Sequence, residues 1–190
     1  MSTKLITFLR SFRNIPDADA ALIIAAAQER VYKEGDYLFK AENICREIFF
    51  ICKGVLRIMV TNKSGNEVTH FFLKKNQFCT ILNSFDNHVI AHESICAACD
   101  TEVLAFNRAN LDKLYAQLPY LKGLIDGITH QALLDKIALR NRYLGHNSTT
   151  QYKMFMELQP EVALQVQLSD VASYLGITPQ SLSRIRKNIR

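Results

Sequence analysis

Polar and basic side chains recur through residues 178–187 at spacings that suit contact with double-stranded DNA. In the major groove, glutamine pairs with adenine and arginine with guanine through two hydrogen bonds each. Gln180 and Arg184 stand four residues apart, so a helix would place both on one face, and we expect them to read bases. The neighbouring polar residues are expected to hold the DNA backbone without reading sequence; they are Thr178, Ser181, Ser183, Arg186 and Lys187.

The residues around this face predict a helix-turn-helix. Ser169 is placed to cap a short helix through Leu175, and Gly176 stands where the helix ends and the backbone needs a positive φ. Thr178 is the expected N-cap of the second helix, with Pro179 as its first residue. The inward apolar residues of both helices are Val171, Ala172, Leu175, Ile177, Leu182 and Ile185. The second helix therefore turns its polar face outward, as a major-groove reader does.

The positive charge of the chain is concentrated at this end. Residues 140–190 hold seven Lys and Arg against three Asp and Glu, a net charge of +4, whereas residues 1–139 hold sixteen against fifteen, a net charge of +1. Arg184, Arg186, Lys187 and Arg190 lie within the last seven residues. Such clusters neutralise phosphates and release counterions. A solvated basic tail explains the cluster less well, because a helix, a glycine turn and a cap precede it.

Histidines and cysteines of residues 88–99 form the spacing His-x3-His-x3-Cys-x2-Cys, which resembles a set of metal ligands. If residues 94–99 form a strand, however, Cys96 and Cys99 point to opposite faces and cannot chelate one ion. We therefore expect no metal and no other cofactor, and we interpret the five cysteines as small core residues. A thiol redox switch through Cys96 and Cys99 is the alternative, and His70 is interpreted as a strand-face or core residue.

Composition limits the function further. No glycine-rich phosphate loop, nucleophile elbow or His-Glu-x-x-His run occurs, so we do not expect an enzyme. No apolar run approaches the roughly 20 residues of a membrane span, and Arg10 and Arg13 interrupt any signal-like segment. We therefore expect a cytoplasmic protein with reduced thiols and no membrane partner. The 190 residues, 48% of them hydrophobic, suffice for one large domain or two small ones.

The elements before the helix-turn-helix change in character along the chain. An alanine-rich helix is predicted over 17–29, and short strands separated by turns follow to about Asn107. The clearest strands are predicted over 48–52, 55–60, 67–73 and 102–106. Short strands at this spacing indicate a small β-barrel or β-roll. One helix is then predicted over 108–118.

A long helix is predicted from Pro119 to about Leu144 by apolar residues at spacings of three and four. Its apolar surface is broader than one contact needs, and Gly123 and Gly127 would let two backbones approach closely. We therefore expect a homodimer through this helix, with contacts from Leu121, Leu124, Ile125, Ile128 and Ala132. Gly145 to Ser148 mark a boundary between domains 1–144 and 145–190. Beyond the boundary, Thr149 or Thr150 would cap the first of three helices.

This order of elements resembles the Crp/Fnr family of bacterial transcription regulators. The most specific motifs are QYKMFMELQPEV and VASYLGITPQSLSRIRK, the latter similar to a form common in a Bacteroidetes-like branch. The resemblance implies an α+β fold: an N-terminal β-roll, or cyclic-nucleotide-binding-like jelly roll, with a long dimerisation helix, and then a small winged-helix-type domain. It implies a homodimer on a palindromic operator in double-stranded DNA, with RNA polymerase as a further candidate partner. Arg184 matches the base-reading arginine of the family, and Gln180 falls where many members have glutamate.

Two features depart from the family pattern. The printed sequence ends at Arg190, so we expect the β elements that follow this helix in longer members to be missing. Members that bind cyclic AMP hold its phosphate with an arginine, whereas no arginine occurs here between Arg57 and Arg108. The corresponding region supplies a different candidate effector pocket, formed by Asn76, Gln77, Phe78, His92 and Ser94. We therefore expect a regulator that does not respond to cyclic AMP and that either senses another small molecule or uses the β-roll only as a dimerisation scaffold.

Overall fold

The computed structural model describes residues 1–189, and Arg190 lies outside the described residues. Over this range the chain forms nine helices and eight strands. In chain order they are α1 (Ser2–Arg10), α2 (Asp17–Ala25), β1 (Gln28–Tyr32), β2 (Tyr37–Phe39), β3 (Glu47–Lys53), β4 (Val55–Thr61), β5 (Glu67–Lys74), β6 (Phe78–Cys79), α3 (Leu82–Asn87), β7 (Glu93–Ala97), β8 (Thr101–Asn107), α4 (Arg108–Gln117), α5 (Pro119–Asn141), α6 (Ser148–Leu158), α7 (Pro160–Ala163), α8 (Leu168–Leu175) and α9 (Pro179–Ile189).

The strands form two four-stranded antiparallel sheets, in the orders β1-β8-β3-β6 and β2-β7-β4-β5. Both sheets contribute to one buried core, to which β3 supplies Phe49 and Ile51, and β4, β5 and β7 supply Leu56, Leu73 and Ile95. Alternation along each strand puts every second side chain into this core. The predicted β-roll and the mixed α and β fold class are confirmed.

Helices cover the outer face of the first sheet. A second core joins α1, α2, α4 and the first half of α5 to β3 and β8, through residues such as Leu9, Ile23, Phe50 and Leu104. The N-terminal helix α1 carries Leu5 and Leu9 into this core. No helix within residues 1–189 is long and apolar enough to cross a lipid bilayer.

The long helix α5 uses its two sides differently. Leu121 and Ile125 are fully buried against the β-roll of the same chain, and Leu124 and Ile128 are partly buried in the same core. The opposite side is open, with Leu134 46% and Ile137 44% exposed. One part of the broad apolar surface of α5 is therefore buried in the chain's own core, and the other part is exposed to solvent.

Several predicted boundaries shift in the structure. Helix α2 ends at Ala25, not Glu29, because β1 begins at Gln28. Helix α6 is capped by the Asn147 side chain, which accepts from the Thr150 amide at 3.0 Å, so neither Thr149 nor Thr150 is the cap. Helix α8 begins at Leu168, with Gln167 as its N-cap and Ser169 inside the first turn. The C-terminal segment holds four helices within residues 145–189, one more than expected, because Pro160 starts the short α7.

Candidate nucleic-acid interface and β-roll cavity

Helix α9 begins as the sequence predicts. The Thr178 hydroxyl accepts from the Ser181 amide at 3.1 Å, and Pro179 is the first helical residue. Gly176 ends α8 with a φ of +70°, the left-handed conformation that glycine adopts without strain. On the inner face of α9, Leu182 is fully buried, and Ile185 packs against the same core. The turn and cap therefore fix how α9 leaves α8.

The outer face of α9 is open to solvent. Gln180 and Arg184 are exposed one helical turn apart, and Lys187 follows on the same side. Ser181 is also exposed, whereas Ser183 is partly buried. Arg186 is turned toward a groove that Lys153 of α6 also lines. The helix thus offers one continuous face with hydrogen-bonding and basic side chains.

The helix-turn-helix packs directly on the β-roll. Val55, Phe72 and Ala98 of the β-roll share one buried core with side chains of α6, α8 and α9, among them Phe155 and Leu182. Tyr174 of α8, which the sequence analysis did not include among the inward residues, lies with its ring centroid 5.3 Å from that of Phe72. The two predicted domains therefore share a hydrophobic core.

A buried ion pair joins the same two parts. Arg57 of β4 donates to Glu67 of β5 at 2.6 Å, and a second guanidinium nitrogen lies 2.9 Å from Asp170 of α8. The Arg57 and Asp170 side chains are only 12% and 15% exposed. Burial raises the pKa of the Asp170 carboxyl above its ordinary value, and the Arg57 charge opposes that rise. The sequence did not predict this pair because its members are far apart in the chain, and no local pattern links them.

Hydrogen bonds continue the contact along β5. The Thr69 amide donates to the Ser173 hydroxyl at 2.9 Å, and that hydroxyl donates to the Glu67 carbonyl at 3.1 Å. Glu161 of α7 lies 3.1 Å from Lys74 and 3.4 Å from Lys75 at the end of the strand. Backbone and side-chain groups of β5 and the turn after it thus hold helices α7 and α8 against the β-roll.

The structure does not bring the five predicted effector-pocket residues together. Asn76 and Gln77 form the turn between β5 and β6, where the Asn76 amide donates to the Ile51 carbonyl and the Gln77 side chain accepts from the Lys74 amide. His92 is exposed and pairs with Glu42, whereas Ser94 accepts from the Ala41 amide. Of the five, only Phe78 lines the cavity that lies between the β-roll and α5.

That cavity lies between β4, β5, α3 and the inward side of α5, and its volume is about 190 Å³. Apolar side chains dominate the lining, and its ionisable groups are His70, Glu93 and Lys136. Burial lowers the pKa of His70 and so favours the neutral form of its ring. His70, predicted to be a strand-face or core residue, thus also lines the cavity. Sequence patterns gave no sign of Lys136, because one lysine in an amphipathic helix is ordinary.

The cavity does not fit a cyclic phosphate. No arginine of residues 1–189 lies in its wall. Arg57 is held by Glu67 and Asp170, and Arg108 donates to Asp112 and to the Phe85 carbonyl. A cyclic nucleotide would therefore lack the bidentate cation that its phosphate requires.

The two cysteines of the redox alternative occupy different environments. Cys96 is buried in β7, whereas Cys99 lies beyond the strand end and is partly exposed. Burial raises the pKa of both thiols, which lowers the fraction of reactive thiolate. Among the described residues, no group of three His, Cys, Asp or Glu side chains could hold a metal ion.

Comparison with known proteins identifies the fold. Residues 29–118 match the family described as "Cyclic nucleotide-binding domain". The c-di-GMP-responsive global regulator CLP of Xanthomonas campestris is similar, with a TM-score of 0.70 and 14% identity over 92% of this chain and 91% of that one. So is the catabolite activator protein of Thermus thermophilus, with a TM-score of 0.56 and 20% identity over 96% and 86%.

A Crp/Fnr-family protein of Eubacterium rectale is also similar, with a TM-score of 0.67 and 15% identity over 96% of this chain and 87% of that one. No curated protein sequence matches the chain significantly. At these identities the likeness establishes the fold, which spans the β-roll, the long helix and the C-terminal helices.

Proposed function

We propose that this chain, whose β-roll matches the cyclic nucleotide-binding domain family and whose fold is that of Crp/Fnr-type regulators, is a homodimeric, sequence-specific DNA-binding transcription regulator rather than an enzyme. The observation that carries the proposal is the exposed face of α9, where Gln180 and Arg184 stand one turn apart on a helix fixed by a cap and a glycine turn. A capped helix with this face suits the major groove.

The side chains of α9 would divide the work of recognition. Arg184 would donate two guanidinium N–H groups to O6 and N7 of guanine, and Gln180 would pair with adenine. Thr178, Ser181, Ser183, Arg186 and Lys187 would hold phosphates and fix the register. Contact with RNA polymerase, the further partner implied by the family resemblance, stays a prediction.

The proposed dimer uses the open side of α5. Leu121 and Ile125 are buried in the chain's own core, which removes them from the contact set expected from the sequence, and Ile128 packs against that core. On the open side, Gly123, Gly127, His130, Leu134 and Ile137 recur at spacings of four and three, the spacing of a coiled-coil seam. A second copy would cover Leu134 and Ile137, and its two-fold axis would match a two-fold DNA site.

The β-roll would serve as an effector domain that does not take cyclic AMP. A cyclic phosphate in this cavity would find no bidentate guanidinium partner, because no arginine lies in the described wall. The apolar cavity beside α5 favours a different small molecule over a purely structural β-roll. We do not propose the redox switch, because burial of Cys96 and the raised pKa of both thiols disfavour it.

The proposal is tested with two substitutions on α9. Binding of the purified protein should be measured by fluorescence anisotropy on a duplex recovered by selection and on a random duplex of equal length, over a range of salt concentrations. Arg184→Ala should weaken binding to the selected duplex by about 1–3 kcal/mol and relax the preference at one base pair per half-site. Lys187→Ala should weaken both duplexes alike and reduce the salt slope by about one.

Equal losses on both duplexes for both variants would make Arg184 another phosphate contact and would remove the proposed base-reading role. If neither variant changed binding to either duplex, α9 would not be the DNA-contacting element.

A further inference from the structure

Lys136 of α5 projects from the inward side of the helix into the wall of the β-roll cavity. Its neighbours on that side, Thr129 and Leu133, line the same space. Within residues 1–189 its ammonium group forms no salt bridge and no hydrogen bond with a side chain, and burial lowers its pKa. The Lys136 side chain is partly buried, and a partly desolvated ammonium group without a counter-ion favours pairing with an anion.

The ionisable groups around Lys136 do not supply that anion. The buried Cys79 thiol, whose pKa burial raises to about 12, stays protonated. The lowered pKa of His70 favours its neutral form, and Asp135 on the same helix accepts from Gln131 at 2.9 Å. Glu93 is the carboxylate of the lining, yet it forms no salt bridge with Lys136 in the described structure. Lys136 therefore has no ion-pair partner among the described residues, although the nearby charge of Asp135 partly opposes the lowering of its pKa.

The rest of the cavity suits a compact apolar body. Ile58, Phe71, Leu73, Phe78 and Leu133 contribute the apolar wall, and the volume is about 190 Å³. The two hydroxyls of the lining already donate elsewhere: Thr80 to the Glu47 carbonyl at 2.8 Å and Thr129 to the Ile125 carbonyl at 2.9 Å. A ligand with many hydrogen-bonding groups, such as a nucleoside, would find few free donors here.

We propose that this cavity binds a small monocarboxylate with an aromatic or aliphatic body, held by an ion pair with Lys136. The inference deepens the proposed function, on which it rests, by naming the chemical class of the effector. Lys136 also lines the cleft between α5 and the α6–α7 segment, beside Leu139, Leu158 and Val162. A carboxylate that pairs with Lys136 in the cavity would therefore act at the junction with the proposed DNA-binding helices.

Isothermal titration of the full chain without DNA tests the ligand class. The probes are phenylacetate, benzoate and hexanoate, with phenylacetamide as the neutral match of the first and cyclic AMP as the family ligand. We expect at least one carboxylate to bind and phenylacetamide to bind at least about tenfold more weakly than phenylacetate. Lys136→Met should lower carboxylate affinity at least about tenfold, whereas Lys122→Met, on the exposed side of α5, should leave it unchanged.

Three results would overturn the proposal: no binding of any carboxylate, equal binding of phenylacetate and its amide, or unchanged carboxylate affinity in Lys136→Met. A second readout needs no ligand. Because methionine removes an unpaired cation while keeping the length of the side chain, Lys136→Met should melt at the same temperature as the wild type or higher. A lower melting temperature would mean that Lys136 already has a partner and would also refute the proposal. Since DNA is absent, these outcomes are independent of the Arg184 test.

Discussion

The Arg57 ion pair offers the sharpest test of how the C-terminal helices are held against the β-roll. Arg57→Met removes the one cation that contacts both Glu67, at 2.6 Å, and Asp170, at 2.9 Å. The variant leaves two carboxylates facing each other at the junction of β4, β5 and α8. We expect it to destabilise the whole chain, because the β-roll and the helix-turn-helix share one hydrophobic core.

The expected loss of unfolding free energy in Arg57→Met follows from the burial of Asp170 and Glu67. Removing one member of a buried ion pair costs about 3–5 kcal/mol, because the other charge stays without compensation. Asp170 is 15% exposed and meets this condition, whereas Glu67 is 40% exposed and water screens its charge. We therefore expect the lower end of the range, about 3 kcal/mol, at pH 7. Asp170→Asn should cost less, because Glu67 still neutralises Arg57 and the amide removes a carboxylate whose pKa burial raises.

The loss of unfolding free energy in Arg57→Met should become smaller as the pH falls. In Arg57→Met the folded-state pKa of Asp170 rises further above its unfolded value, because burial acts without the opposing cation. Between those two values the folded chain binds more protons than the unfolded chain, so stability increases as pH falls. The difference in unfolding free energy between wild type and variant should thus shrink from pH 8 to pH 5.

Urea denaturation followed by circular dichroism measures these free energies. The control is Lys122→Met, which breaks the exposed Lys122–Asp126 pair on α5 and should cost less than about 1 kcal/mol. Adding Asp170→Asn to Arg57→Met should recover part of the loss. If Arg57→Met cost no more than the control, or if its cost did not change with pH, the ion pair would not hold the two parts together as argued.

Two further substitutions test the dimer seam and a strained turn. Ile137→Asp places a carboxylate in the proposed seam, so it should yield monomers by light scattering and weaken DNA binding. The control Leu164→Asp, at an 82% exposed site on another surface, should stay dimeric. A dimeric Ile137→Asp would show that the interface lies elsewhere. Gly54→Ala should lower the unfolding free energy by at least about 2 kcal/mol, because Gly54 has a φ of +87° and a Cβ there would lie 2.6 Å from the Asp100 carbonyl oxygen. Gly65→Ala, at a φ of +80° but in open space, should lower it by less. Equal losses of unfolding free energy in the two variants would refute the steric argument.

Local signals account for what the sequence could predict. Gly176, Thr178 and Pro179 each determine backbone geometry within a few residues, so the turn and the start of α9 match the prediction. The main strands β3, β4, β5 and β8 also agree, because alternation and glycine turns are short-range features. The caps of α6 and α8 were assigned to the wrong residues because several polar side chains compete near each helix start, and only the backbone geometry selects one.

Contacts between distant segments could not be predicted in the same way. Periodicity shows that α5 is apolar on more than one side, but it does not show which side the chain's own core covers. Leu121, predicted at the dimer seam, is therefore found in that core. The pairing of Arg57 with Asp170 and the place of Lys136 in a cavity both depend on how β4 and β5 pack against helices. The predicted effector pocket combined residues on either side of α3 that the β-roll keeps apart.

The central claim is that a two-fold pair of α9 helices reads a specific DNA sequence. Selection of duplexes from a random pool by the purified full chain measures this most directly. We expect enrichment of a two-fold symmetric sequence whose half-sites lie about 10 base pairs apart or a multiple of that spacing, with one half-site position relaxed in Arg184→Ala. Recovery of unenriched DNA, or of the same sequence by both wild type and Arg184→Ala, would contradict it.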